Sequence, residues 1–259
     1  MARINIKTTQ KIKHASALPS AVSPVDYIIG MASLVGWYQA ADPFVDVING
    51  TEIDAFRDRA GGSVVFNRYS ATNRADLVAT TSMNGLTAAK FNGTTTADGS
   101  TDYYVLSDSA LPDVGGAFTY ALAITPADNS GADYIFGRFQ GSTQRAIISI
   151  APGSDNIRFQ VGSKVIEAPV VIGSANVVFA SWDGDTLRMR VNGTDATPVD
   201  GTGEDVGTGP LFLGTFSVSG SQAFDGWVAD AIVWEADLLG TNDAAIPNFE
   251  SFCAANYGT

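Results

Sequence analysis

Between Asn176 and Gly193 a mostly apolar run and a run in which apolar and polar positions alternate with period two lie on either side of a tight turn. Leu187, Met189 and Val191 would face one way and Arg188 and Arg190 the other, which is the pattern of a half-buried antiparallel strand. Asp183-Gly184 precedes this strand and Asn192-Gly193 follows it. Such pairs mark hairpins, because Gly and Asn tolerate the positive φ that tight primed turns demand. The same reading predicts strands over 86–91, 103–106, 118–125, 134–139, 145–151, 156–161, 165–170, 176–182, 186–191, 211–213 and 226–234. Regular spacing with Gly-, Asn- and Asp-rich turns argues for a sandwich or barrel.

Two stretches break this rhythm. In 27–38 the chain is mostly apolar, with strand character strongest from Leu34 to Tyr38. Near the C-terminus Phe249, Phe252, Cys253 and Tyr257 recur at helical spacing, with Pro247 near the start and Gly258 just past the end. That predicts a short amphipathic helix. Pro24 and Pro19 favour extended backbone before it all begins, so residues 1–25 read as an arm and 26–259 as one domain.

Composition fits this division. The chain has 259 residues, is 45% hydrophobic and carries a net charge of −12. Residues 1–25 contain Arg3, Lys7, Lys11 and Lys13 and no acid, so the remainder holds 11 basic against 27 acidic residues, a net of −16. A body of that charge repels nucleic acid and anionic membranes. The basic arm, in which Ile4, Ile6 and Thr8 alternate with Asn5 and Lys7, suits docking on an acidic partner or strand addition to a sheet edge. A solvated, flexible terminus is the plain alternative.

One cysteine, Cys253, and one histidine, His14, exclude an intrachain disulfide and a Cys/His zinc constellation. No run approaches the roughly 20 apolar residues of a membrane span. No signal-peptide pattern stands at the N-terminus, so synthesis in the cytoplasm is expected.

Six segments in order resemble the concanavalin A-like lectin/glucanase superfamily, in particular its laminin-G-like jelly rolls. They are Leu34-Val-Gly-Trp-Tyr-Gln-Ala-Ala-Asp42, Phe56-Arg-Asp-Arg-Ala-Gly-Gly62, Ala89-Lys-Phe-Asn-Gly93 with Asp102-Tyr-Tyr-Val-Leu106, Ala117-Phe-Thr-Tyr-Ala-Leu-Ala-Ile124, Trp182–Gly193, and Phe224-Asp-Gly-Trp-Val-Ala-Asp-Ala-Ile-Val-Trp234. The resemblance implies an all-β fold: a two-sheet antiparallel jelly-roll sandwich with an extended N-terminal arm and a short C-terminal helix. Trp37, Trp182, Trp227 and Trp234 are expected in its core, and the strand after Phe224-Asp-Gly is expected to be central, being apolar on both faces.

Glycoside hydrolases of this superfamily carry Glu-x-Asp-x-x-Glu on one strand. The nearest segment here, Glu235-Ala-Asp-Leu-Leu-Gly240, lacks the second Glu, so no catalytic residue is expected. Laminin-G-like domains often bind calcium at a loop rim, which implies a site at Asp128, Asp133 and Asp155. Asp and Asn are also ordinary turn formers. Sugar binding is the family's common task, and Tyr103, Tyr104 and Tyr134 are the aromatic candidates for glycan contact.

The sequence thus predicts a non-enzymatic structural or adhesion protein of a phage-like virion: a capsid decoration protein, a head fibre or a tail-associated receptor-binding protein. Its partners would be capsid or tail proteins, met through Arg3, Ile4, Ile6, Lys7, Lys11 and Lys13, and host-surface glycans. Assembly as a homo-oligomer is compatible with such an arm. The alternative is a bacterial carbohydrate-binding module or surface adhesin, and a glycan hydrolase or lyase with an unrecognised site is a third reading.

Overall fold

The computed structural model describes residues 22–62, 65–68, 74–93, 102–106, 116–131, 133–215 and 222–259. The arm residues Arg3, Ile4, Ile6, Lys7, Lys11 and Lys13 lie outside the described residues. In chain order the elements are α1 (Pro24–Ile29), β1 (Leu34–Gln39), β2 (Val45–Ile48), β3 (Glu52–Arg57), β4 (Val65–Arg68), β5 (Asp76–Ala79), β6 (Thr87–Phe91), β7 (Tyr104–Leu106), β8 (Phe118–Pro126), β9 (Tyr134–Gly141), β10 (Gln144–Ile150), β11 (Asn156–Val161), β12 (Lys164–Pro169), β13 (Asn176–Trp182), β14 (Thr186–Val191), β15 (Thr194–Asp195), β16 (Val199–Asp200), β17 (Leu211–Leu213), β18 (Gly226–Trp234), α2 (Leu238–Thr241) and α3 (Ala245–Tyr257).

Pairing is antiparallel throughout these strands and builds two layers. Sheet one runs β18–β8–β13–β14, with β1 and β6 sharing the outer side of β18 and β15 and β16 covering β14. Sheet two runs β2–β3–β4–β7–β17–β9–β10–β11–β12. Apolar side chains of both inner faces meet between the layers, among them Phe66, Phe118, Tyr120, Phe136, Phe159 and Leu187. Tyr120 and Phe136 meet edge to face with ring centroids 5.1 Å apart, a geometry that suits the aromatic quadrupole.

Sheet one is buried on both sides. Every residue of β8 and β13 is buried, because α1 and α3 cover its outer face. There Trp37, Ala121, Phe179, Ile232 and Trp234 pack against Phe249, Phe252 and Cys253. Small residues at 121, 123 and 229 on that face leave room for the helices. The strand after Phe224-Asp-Gly is therefore central, as its apolar run required. The Asn192-Gly193 turn also forms as read, with φ of 48° and 79°. Helix α3 ends at Gly258, φ 73°.

Three features depart from the sequence reading. Ser23 is extended, but Pro24 opens a helix, with the Ser23 hydroxyl accepting from Asp26 N–H at 3.1 Å. Proline serves there as a first-turn residue rather than as a continuation of the arm. Strands β2 to β5, none longer than six residues, lie outside the strands read from the sequence because each is too short to show a clear period. Trp227 is half-buried, unlike the other three tryptophans.

One polar cluster fastens α3 to sheet one. Asp230, fully buried on β18, accepts from Trp37 Nε1 at 2.6 Å and from the Tyr257 hydroxyl. The same Tyr257 hydroxyl accepts from Gln39 Nε2 at 3.2 Å, and Arg59 donates to Gln39 Oε1 at 2.9 Å. The Arg59 guanidinium lies 4.3 Å from the Trp37 ring centroid, a cation–π contact. Burial pushes the Asp230 carboxyl up to about 6, against the pull of Tyr257, Trp37 and Arg59.

Two outcomes follow. Tyr257→Phe removes one donor to a buried carboxylate and should cost about 1–3 kcal/mol in urea unfolding at pH 7; an unchanged midpoint would mean that α3 is held by packing alone. Folded Asp230 keeps its proton to about pH 6, whereas the unfolded residue releases it near its ordinary value. Between roughly pH 4 and 6 the folded state binds more protons, so this group's contribution falls as pH rises, by on the order of 2–3 kcal/mol. Unfolding measured across that window should show a shallower decline for Asp230→Asn than for the unsubstituted chain.

Candidate functional site

The candidate site is one end of the sandwich. Antiparallel pairing brings the ends of β6, β8 and β10 and the starts of β7, β9, β11 and β18 to the same rim. Polar turn residues collect there because the strands must reverse without burying bare backbone groups.

Its corner is built by β6 and β18. Lys90 Nζ lies 3.1 Å from Asp225 Oδ1 and 4.4 Å from the centroid of the half-buried Trp227 ring. Register explains this, since Lys90 is the β6 partner of Trp227. Next to it Asn92 donates from its backbone N–H and its Nδ2 to Asp102 Oδ2, at 3.0 and 3.1 Å. Burial raises the Asp102 carboxyl to about 6 against those hydrogen bonds.

The loop between β8 and β9 adds Asp128 and Asp133. Asp128 Oδ1 accepts from Ser130 N–H and hydroxyl, both at 3.1 Å. Asp133 is pushed up to about 6, first by burial and then by the negative charges of Asp128 and Asp225. A Cβ at Gly131 would stand 2.7 Å from Asp133 Oδ1, so a side chain there would require the carboxylate to shift. Asp155, from the β10–β11 turn, accepts from Asn129 Nδ2 at 2.8 Å.

The predicted calcium residues therefore share a rim but do not converge. Asp155 is tied to Asn129, while Asp133 responds to Asp128 and Asp225. Among the described residues no three His, Cys, Asp or Glu side chains come together as metal ligands. The described side chains thus do not fit a calcium cage.

The tyrosines divide. Tyr104 is fully buried, its hydroxyl donating to Ile53 O at 2.8 Å and accepting from Ala75 N–H at 3.0 Å, with its ring against Phe56. Tyr103 is 2% exposed and packs near Phe212. Neither presents a ring face to a ligand in this structure. Tyr134 is half-buried at the start of β9, bridged to Ala223 beside the rim. Lys90, Asn92, Asp102, Asp225 and Trp227 were missed as site residues, although Lys-Phe-Asn-Gly and Phe-Asp-Gly-Trp contain most of them. Contact between Lys90 and Asp225 spans 135 positions in sequence, which no local pattern reveals.

At the opposite end, Asp237 is engaged in structure. Its Oδ1 accepts from the Ser181 hydroxyl at 2.6 Å and from Gly240 N–H at 2.8 Å, and its Oδ2 accepts from Arg188 at 2.6 Å. It caps α2. Glu235 is exposed where β18 ends.

Comparisons with known proteins agree with this architecture. No curated protein matches the chain. Among solved structures, the binding domain of botulinum neurotoxin DC in complex with SialylT is similar, with a TM-score of 0.58 and 10% identity over 86% of this chain and 52% of that one. Trypanosoma rangeli sialidase in complex with the inhibitor DANA is similar too, with a TM-score of 0.57 and 14% identity over 86% of this chain and 33% of that one. The chain thus spans about half the length of the toxin domain and a third of the sialidase, and at these identities the likeness shows the fold. The family model of the concanavalin A-like lectin/glucanases superfamily matches residues 98–241, more than half of the chain and the part that holds β7 to β18, and the chain belongs to that superfamily.

Proposed function

We propose that this protein is a non-catalytic glycan-binding adhesion domain that takes its sugar at the rim corner of Lys90, Asn92, Asp225 and Trp227. The observation that carries the reading is the half-buried Trp227 ring flanked by a lysine, an amide and a carboxylate. Sugars are recognised by hydrogen bonds to their hydroxyls and by contact of their C–H face with an aromatic ring, and this corner offers both. Two proteins of similar fold, the toxin binding domain in complex with SialylT and the Trypanosoma rangeli sialidase in complex with sialic acid, support a sialylated glycan as the first class to try.

Absence of turnover belongs to the same proposal. It is supported by Asp237 being engaged as a helix cap and by Glu235 lacking a carboxylate partner at glycosidase spacing. A finer form places the domain on the outside of a phage-like particle, supported only by the opposition of a basic 1–25 segment to an acidic body. Mass spectrometry of density-purified particles checks that form: stoichiometric recovery supports it, and recovery only in the secreted or cell-surface fraction shifts the placement to a bacterial adhesin.

A glycan array probed with the full chain should give hits among acidic oligosaccharides without product release. Trp227→Ala and Lys90→Ala should each weaken binding about tenfold or more in calorimetry, the equivalent of roughly 1.4 kcal/mol. An array without hits in calcium and in chelator, or binding untouched by both substitutions, would sink the assignment.

A further inference from the structure

Strand register places a third side chain beside the Lys90–Trp227 pair. Trp227 lies across from Lys90 on β6 and from Thr125 on β8. All three are on the helix-covered face of sheet one. Trp227 packs against the same cluster as Ala88 and Ala123, and Lys90 and Thr125 stand two positions beyond those alanines on their strands. Thr125 is fully buried, and its hydroxyl has no hydrogen-bond partner among the described residues. The indole N–H of the half-buried Trp227 has none either, whereas Lys90 is engaged by Asp225. Buried polar groups are nearly always paired. Packing does not call for this exception, because valine has the shape of threonine without the hydroxyl. The other neighbours of Thr125 on that face, Ala123 on β8 and Ala175 just before β13, are small, so the Trp227 ring is the large side chain beside it.

We propose that Thr125 is a further ligand-contact residue of the rim corner, and that its hydroxyl and the Trp227 indole N–H together take up one hydroxyl of the bound sugar. The inference rests on the glycan reading above and deepens it. A sugar hydroxyl is donor and acceptor at once, so it can accept from the indole N–H and donate to the threonine oxygen. A carboxylate only accepts, and would add negative charge where Asp133 already feels Asp128 and Asp225. The acid group of a sialylated glycan therefore lies outside this pair. Reaching Thr125 requires the Trp227 ring to turn about its side-chain torsions, a rotamer change that a half-exposed side chain makes readily. Binding then gives partners to two unpaired groups, and that gain selects the turned ring only when sugar is present.

The test titrates sialyllactose into the full chain and into its Thr125→Val and Thr125→Ser variants, with urea unfolding of all three. Thr125→Val is expected to weaken binding about tenfold while its unfolding midpoint stays equal or rises, because an unpaired buried hydroxyl has been removed. Thr125→Ser keeps the hydroxyl and should keep most of the affinity. The Trp227 indole proton resonance should move when the unsubstituted chain binds, and move less in Thr125→Val. Binding by Thr125→Val equal to that of the unsubstituted chain would overturn the inference and leave the glycan reading standing. A lowered midpoint with affinity lost in both variants would also overturn it, by showing that Thr125 acts through packing. No binding by the unsubstituted chain would overturn the glycan reading, and this inference with it.

Discussion

Everything in this fold follows from sheet one being buried on both faces. A sheet that is apolar on both sides cannot end at the surface, so it needs a cover on each. Sheet two supplies the inner cover through an aromatic-rich layer. The outer cover is the helices α1, α2 and α3, and helices packed on a flat apolar face can slide. Asp230 removes that freedom. A buried carboxylate is costly unless its acceptors are filled, and its partners here are fixed groups: the Trp37 indole on β1 and the Tyr257 hydroxyl on α3. The charge thus sets where the last turn of α3 must sit, while Arg59 over Trp37 closes the same corner from the β3–β4 side.

This arrangement divides labour between the two ends of the sandwich. At the end near α2, charged groups are used up in holding elements together: Arg188 bridges Asp183 and Asp237, and Arg190 bridges Asp195 and Glu250. At the rim, carboxylates crowd with fewer cations near them, and Asp133 and Asp102 hold their protons to about pH 6. Fully engaged groups stabilise. Crowded, partly satisfied ones are where a polar ligand can replace a poor internal arrangement with a better one.

The long strands were legible because their burial is periodic or continuous. β8, β11, β13, β14 and β18 lie where alternation and turn residues placed them. β2, β3 and β4 were not, since four to six residues are too few to establish a period; their cross-strand ion pairs, Arg57 with Asp46 and Arg68 with Asp54, exist only once the strands are side by side. The same limit applies to the site. Asp128, Asp133 and Asp155 could be read as loop acids from local turn chemistry. Tyr103 and Tyr104 could not be told from packed tyrosines, because one strand position decides whether a ring faces solvent or Phe56. Lys90 and Trp227 meet through strand register alone, which the sequence encodes only jointly with the whole fold.

The most direct test of the glycan-binding account is a nuclear magnetic resonance titration of the isotope-labelled full chain with a sialylated oligosaccharide. The account predicts saturable shifts concentrated on the Trp227 indole and the amides of Lys90, Asn92 and Asp225. Shifts centred elsewhere, such as beside Arg188 and Arg190, or none at millimolar sugar, would contradict it.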